Sequence, residues 1–140
     1  MTMQDPPDIR QPIVMRCVRD EGPGPMLPVV LGYRISDPYA VAADFGTVGG
    51  QIVWTFGREL LSEGLAGAVG VGDVRVWPGV DLAGRDSLMI EFRSPDGELV
   101  VEASRAEVAN FVLRTYQLVP RGQETSHLDV DAIISGLLTA

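Results

Sequence analysis

Lysine is absent from this 140-residue chain, and cysteine and histidine occur once each. All 11 basic residues are arginines, set against 19 acids for a formal net charge of -8. Non-specific attraction to phosphate backbones or anionic lipid needs a clustered positive field, so this balance argues against both as partners. It admits basic partners, or a neutral surface reached through apolar contacts. The single cysteine, Cys17, can neither close an intramolecular disulfide nor supply a thiolate pair for zinc, which points to a reducing compartment. In the run Ile13-Val14-Met15-Arg16-Cys17-Val18 it reads as a small buried hydrophobe. Long apolar runs are also missing, because glycine and proline break every one short of the ~20 residues that span a bilayer. At the N-terminus, Met1 to Asp8 carries acids and prolines where a secretory signal places basic residues and an apolar block. A cytoplasmic protein without a transmembrane segment is expected.

The same scarcity bears on catalysis. The acids are dispersed, and none is paired by its context as a general acid and base. Ser126-His127-Leu128-Asp129-Val130-Asp131 holds the right residue types for a triad or a metal site, but sequence neighbours point in different directions and no second histidine or cysteine completes a shell. Asp129 or Asp131 reads better as the cap of a last helix, with His127 in the preceding loop. The glycines of Gly67 to Gly72 follow a helix and lead into a strand without a lysine, the reverse of a phosphate cradle, so they read as a flexible connector. Gly49-Gly50-Gln51 reads as a hairpin tip, and Asp44, flanked by apolar residues, is expected to face solvent or a basic partner. No catalytic residue, cofactor or metal site is expected, and the chain is not read as an enzyme.

What is present is patterning. An apolar fraction of 46% in a chain of this length suits one domain with a real core. A flexible tail over 1–11 is expected to precede a single domain over 12–140. Strands are predicted at Ile13 to Arg19, Leu27 to Ile35, Tyr39 to Phe45 and Ile52 to Phe56, with turns at Asp20 to Pro25 and at Asp37-Pro38. Arg58 to Glu63 reads as a short helix ended by a left-handed Gly64. Three further strands follow at Asp73 to Trp77, Ser87 to Arg93 and Glu98 to Ala103, the last two joined by the tight turn Ser94-Pro95-Asp96-Gly97. Ser104-Arg105-Ala106-Glu107 has capping-box spacing and starts a helix with the apolar stripe Val108, Phe111, Val112 and Tyr116, ended by Pro120-Arg121-Gly122. A final amphipathic helix is predicted from Asp129 to Leu138. The class is α+β, antiparallel sheet with packed helices, in an approximately duplicated order of strands and helix.

Gly72-Asp73-Val74-Arg75-Val76-Trp77-Pro78 is the most informative stretch. Alternation sends Val74 and Val76 to one face and Asp73, Arg75 and Trp77 to the other. An arginine beside a tryptophan on a polar face covers a neighbouring strand or meets a protein partner. Together with Asp37-Pro38-Tyr39-Ala40-Val41, with the segment Trp54 to Leu65, and with Ser94 to Gly97, Val119 to Gly122 and Asp129 to Asp131, it resembles the SsgA-like proteins of sporulating actinomycetes, in their order and spacing from about Leu27 to Leu138. The chain departs from the family's recruiter branch in its extension with Pro6, Pro7 and Pro12 and in Val80 to Asp86.

The resemblance implies a non-enzymatic regulator of sporulation-specific septation, acting at the division site as a protein-interaction module. Its partner would be the tubulin-like division protein FtsZ, met directly or through another SsgA-like protein. It also implies a fold similar to the whirly single-stranded nucleic-acid-binding proteins and a symmetric homo-oligomer, a trimer. An eighth strand, which that fold would require, is expected in Val80 to Leu82 or before Ile13. The alternative function is single-stranded nucleic-acid binding, which needs a basic groove with aromatic platforms that this charge balance disfavours. Tyr39, Asp73, Arg75 and Trp77 are the candidate protein interface, with Tyr39 expected on a strand neighbouring the other three.

Overall fold

The computed structural model describes residues 6–47 and 50–128. Its strands are β1 (Ile9–Arg19), β2 (Gly22–Arg34), β3 (Asp37–Thr47) and β4 (Gly50–Gly57), then, after helix α1 (Arg58–Gly64), β5 (Val69–Val71), β6 (Val74–Val80), β7 (Asp86–Ser94) and β8 (Gly97–Ser104). Helix α2 (Arg105–Leu118) and a 3-10 turn at Glu124–His127 complete the described chain. All eight strands form one antiparallel sheet in the order β4-β3-β2-β1-β8-β7-β6-β5. Each half of the chain is a meander of consecutive hairpins, and among the described residues the strands of the two halves pair only where Arg16, Cys17 and Val18 meet Glu102, Val101 and Val100. The helix predicted from Asp129 lies outside the described residues.

The α+β class and the duplicated order of strands then helix match the sequence reading, with four differences. The eighth strand is β5, within the glycine-rich stretch that reads as a connector, because Val69 and Val71 pair with Val76 and Val74 across a tight turn at Gly72-Asp73, where Gly72 has φ +60°. β1 starts at Ile9, which is buried opposite Tyr33, so residues 9–11 belong to a strand. β2 starts at Gly22, within a segment whose prolines suggest a turn. β3 joins β2 only from Val29 onward, so Pro23 and Pro25 sit where one side of the strand has no ladder partner to miss their N–H groups. The β2–β3 turn falls at Ile35-Ser36, and Pro38 lies inside β3.

Alternation along each strand gives the sheet one apolar face. Val29, Leu31 and Tyr33 of β2, Val41, Ala43 and Phe45 of β3, Val74 and Val76 of β6, and Leu88, Ile90 and Phe92 of β7 are all buried on it. The sheet curls around this face. β4 and β7 are five places apart, ~24 Å in a flat sheet, yet the Trp54 and Phe92 rings are 5.1 Å apart and Phe45 meets Phe92 at 5.5 Å. α2 closes the core with Val108, Phe111 and Val112, its start capped by Ser104, whose Oγ accepts from Glu107 N at 3.3 Å.

Gly64 corrects another expectation. It has no positive φ and is the last residue of α1, followed by a right-handed Leu65. A glycine is needed there for space, since a Cβ would fall inside the side chain of Val76. α1 thereby rests directly on β6.

Candidate protein interface

One end of the curled sheet is locked by a buried cation. Arg58, 2% exposed at the start of α1, donates from Nη1 to the carbonyls of Thr115 (3.0 Å) and Val119 (2.8 Å), and from Nη2 to Glu124 Oε1 (2.9 Å). Its guanidinium lies 4.0 Å from the centroid of the Tyr116 ring. Both carbonyls lie at the end of α2, where the Thr115 oxygen also accepts from Val119 N at 2.9 Å. Arg121 closes the rim, bonding Glu59 Oε1 at 3.1 Å and Ser62 Oγ at 3.2 Å. Burial works to raise the Glu124 carboxyl, but the backbone N–H groups of Glu124 and Gly122 and the Arg58 charge outweigh it, leaving its pKa below the usual carboxylate value. The Tyr33 hydroxyl, which donates to Pro38 O at 2.9 Å, is pushed up to about 12 chiefly by burial, with Arg58 acting against the shift. Arg58, Arg121 and Glu124 are not singled out by sequence reasoning. Two arginines in the motifs of a chain without lysine are the available signal.

The candidate interface residues do not converge. Val74 and Val76 are buried while Arg75 and Trp77 occupy the opposite face of β6, as the alternation predicts. Asp73 sits in the β5–β6 turn, its carbonyl accepting from Arg93 N at 2.8 Å. Trp77 is half-buried opposite Met89 of β7, with the Arg75 guanidinium 5.8 Å from its ring centroid. Tyr39 is elsewhere. It lies on β3, five places from β6 in the sheet, 49% exposed with its hydroxyl 3.0 Å from Thr125 Oγ1, so β3 is not the neighbouring strand expected. Beside Arg75 runs an alternating charge ladder, Arg75–Glu91 at 3.8 Å, Arg93–Glu91 at 3.1 Å and Arg93–Glu98 at 3.5 Å. Its carboxylates divide what would otherwise be a basic strip. Asp44, on the same outer face, accepts from Gln51 Nε2 and stands in a groove with Arg10 and Arg34. His127 is exposed at the end of the 3-10 turn, and among the described residues no three His, Cys, Asp or Glu side chains cluster as a metal site.

Among the described residues the opposite end of the sheet is open. Leu27, Phe45, Ile52, Trp54, Phe92 and Leu99 line an apolar mouth of about 360 Å³, rimmed by Ser94, Asp96, Gly97 and Glu98. β4 borders it as an edge of the sheet, with Ile52 53% and Val53 52% exposed. Sequence reasoning misses this surface too, because Ile52-Val53-Trp54 reads as ordinary strand until the sheet order makes β4 an edge.

The comparisons with known proteins agree with one another. The model of the family described as Streptomyces sporulation and cell division protein, SsgA, matches residues 27–124. A sporulation-specific cell division protein SsgB from Kineococcus radiotolerans is 40% identical over 128 residues, covering 91% of this chain and 78% of the relative. The SsgB of Salinispora tropica is 45% identical, covering 77% of each. A solved SsgA-like sporulation-specific cell division protein from Thermobifida fusca shares the fold with a TM-score of 0.81 at 33% identity, over 96% of this chain and 98% of that one.

Proposed function

The chain belongs to the SsgA family of sporulation and cell division proteins, and from that premise we propose that it is a non-enzymatic division factor that selects septum sites by recruiting FtsZ, directly or through another SsgA-like protein. The observation that carries this reading is the match to SsgB proteins over most of the chain. A factor of this kind acts by contact, and the chain offers both an exposed β6 face at Arg75 and Trp77 and an open sheet edge at β4. Repeated copies in a symmetric assembly, a trimer, would multiply weak contacts to a filament. A whirly-like arrangement of the curled sheet, and a position at the septum, belong to the same proposal. Single-stranded nucleic-acid binding has less support, since carboxylates interleave the arginines beside Trp77.

The test is co-sedimentation with FtsZ filaments, joined to light scattering for the assembly mass and to fluorescence imaging in sporulating cells. Recruitment predicts that the protein pellets with filaments and marks septa before constriction. Arg75→Ala combined with Trp77→Leu, if folded, should weaken pelleting or lower the assembly mass. No pelleting with FtsZ, alone or with a second SsgA-like protein, would overturn the reading.

A further inference from the structure

We propose that the β4 edge and the apolar mouth beside it bind an extended segment of another protein. That segment would carry apolar side chains at alternate positions and an arginine or lysine where it passes Asp96. This deepens, and rests on, the reading of the chain as an interaction module.

Among the described residues β4 and β5 are the two edges of the sheet, and they are finished differently. A bare edge invites a further strand, and soluble proteins blunt edges with charge, proline, bulges or short strands. The β5 side has these defences: β5 is three residues long, and beyond it β6 carries Pro78, which offers no donor. β4 has none of them. Gly50–Gly57 contains no charged residue and no proline, and it pairs with β3 in unbroken register from Ala40↔Gly57 to Thr47↔Gly50. Alternate residues of such a strand direct their N–H and C=O groups away from β3, towards whatever lies beyond. An added strand would bond its main chain to these groups and send every second side chain towards Ile52, Trp54 and the mouth.

Charge decides between occupants. The charged residues lining the mouth, Asp96 and Glu98, are both acidic, and Arg93 engages Glu98. Asp96 makes no ion pair among the described residues. A second copy of this chain would bring the same net charge of -8 to an acidic rim. A cationic segment of a different protein is the complementary partner.

Trp54 reports on the site directly. In the full-length chain carrying Trp77→Phe, it is the one remaining tryptophan. The probe is a capped octapeptide, Thr-Leu-Thr-Val-Thr-Leu-Arg-Arg, compared with a form N-methylated at alternate amides and a form ending in two glutamates. Saturable change in Trp54 emission is expected with the cationic peptide, with affinity about tenfold or more weaker for both other forms. Ile52→Lys should abolish binding, and Asp96→Arg should shift the preference towards the glutamate peptide. Both positions are exposed, so the fold is expected to persist and can be checked by circular dichroism. No binding, or binding indifferent to N-methylation, to Ile52→Lys and to charge, overturns the proposal. So does a fall in assembly mass on Ile52→Lys, which would give the edge to a second copy. FtsZ co-sedimentation separates the two readings. If no peptide binds while the protein still pellets with FtsZ, the mouth proposal fails and recruitment stands; if the peptide binds as expected but FtsZ does not carry the protein into the pellet, recruitment fails and the mouth proposal stands.

Discussion

The two ends of the curled sheet are built from similar strands and finished in opposite ways. At one end α1 packs on β3, β4 and β6, with Tyr33, Val41 and Phe56 buried, and Arg58 ties the start of α1 to the end of α2. At the other end Leu27, Phe45 and Phe92 reach a mouth that no helix among the described residues covers, bordered by β4, the last strand of the sheet among those residues. A side chain at the closed end is fixed by several groups at once. At the open end Phe45, Trp54 and Phe92 are held by ring contacts with one another, with no buried ion pair beside them among the described residues. Stability should therefore concentrate at the first, leaving the second free to serve contacts with other proteins.

The largest break in this contrast should come from Arg58→Ala. It removes the ion-pair partner of Glu124 and a buried donor to the Thr115 and Val119 carbonyls, and losses of ~3–5 kcal/mol are typical when one partner of a buried ion pair is removed. Urea denaturation would measure it; a loss below about 1 kcal/mol would show that water replaces the guanidinium without penalty. Gly64→Ala comes next, at ~1–3 kcal/mol for overpacking against Val76. Val76→Ala in the same chain should recover part of that loss, and a double-mutant cycle with no coupling would refute the close contact.

The third effect depends on pH. The folded-state pKa of Glu124 is depressed, so its stabilisation is present above the ordinary carboxylate pKa and is lost as pH falls through the lower, folded value. Stability of Glu124→Gln should fall less steeply with acid over that interval than that of the unsubstituted chain, which thermal melts in a pH series would show. Parallel curves would remove Glu124 from the lock. The smallest effect is expected at the open end, where Ile52→Lys should change stability by less than ~0.5 kcal/mol. A larger loss would mean that the mouth is part of the supporting core.

The closed end and the open end are not equally legible in the sequence. Period-two alternation in Leu27 to Ile35 and the Ser104–Glu107 cap are local patterns, and the structure follows them. So is the division of Gly72 to Pro78 into a valine face and an Arg75–Trp77 face. β5 escapes notice because three residues among glycines carry little pattern, and its strand character comes from pairing with β6. Gly64 suggests backbone freedom in the sequence, when its missing side chain is what the packing requires. Tyr39 falls far from Trp77 because nothing local reveals that β1 and β8 lie between their strands. The Arg58 lock joins residues more than fifty positions apart, and the mouth exists only once the sheet curls.

The narrow join between β1 and β8 has a consequence for the order of folding. Every other strand pair is a hairpin of neighbours in sequence, closed at small entropic cost, whereas Arg16 must find Glu102 across most of the chain. Two meanders can thus form independently before the seam between them closes. The curl that brings Trp54 to Phe92 depends on that late step. Until it happens Leu27, Phe45 and Phe92 stay exposed, so the seam is expected to be the slow step, and stopped-flow refolding followed by Trp54 emission in the Trp77→Phe chain should show the mouth forming last.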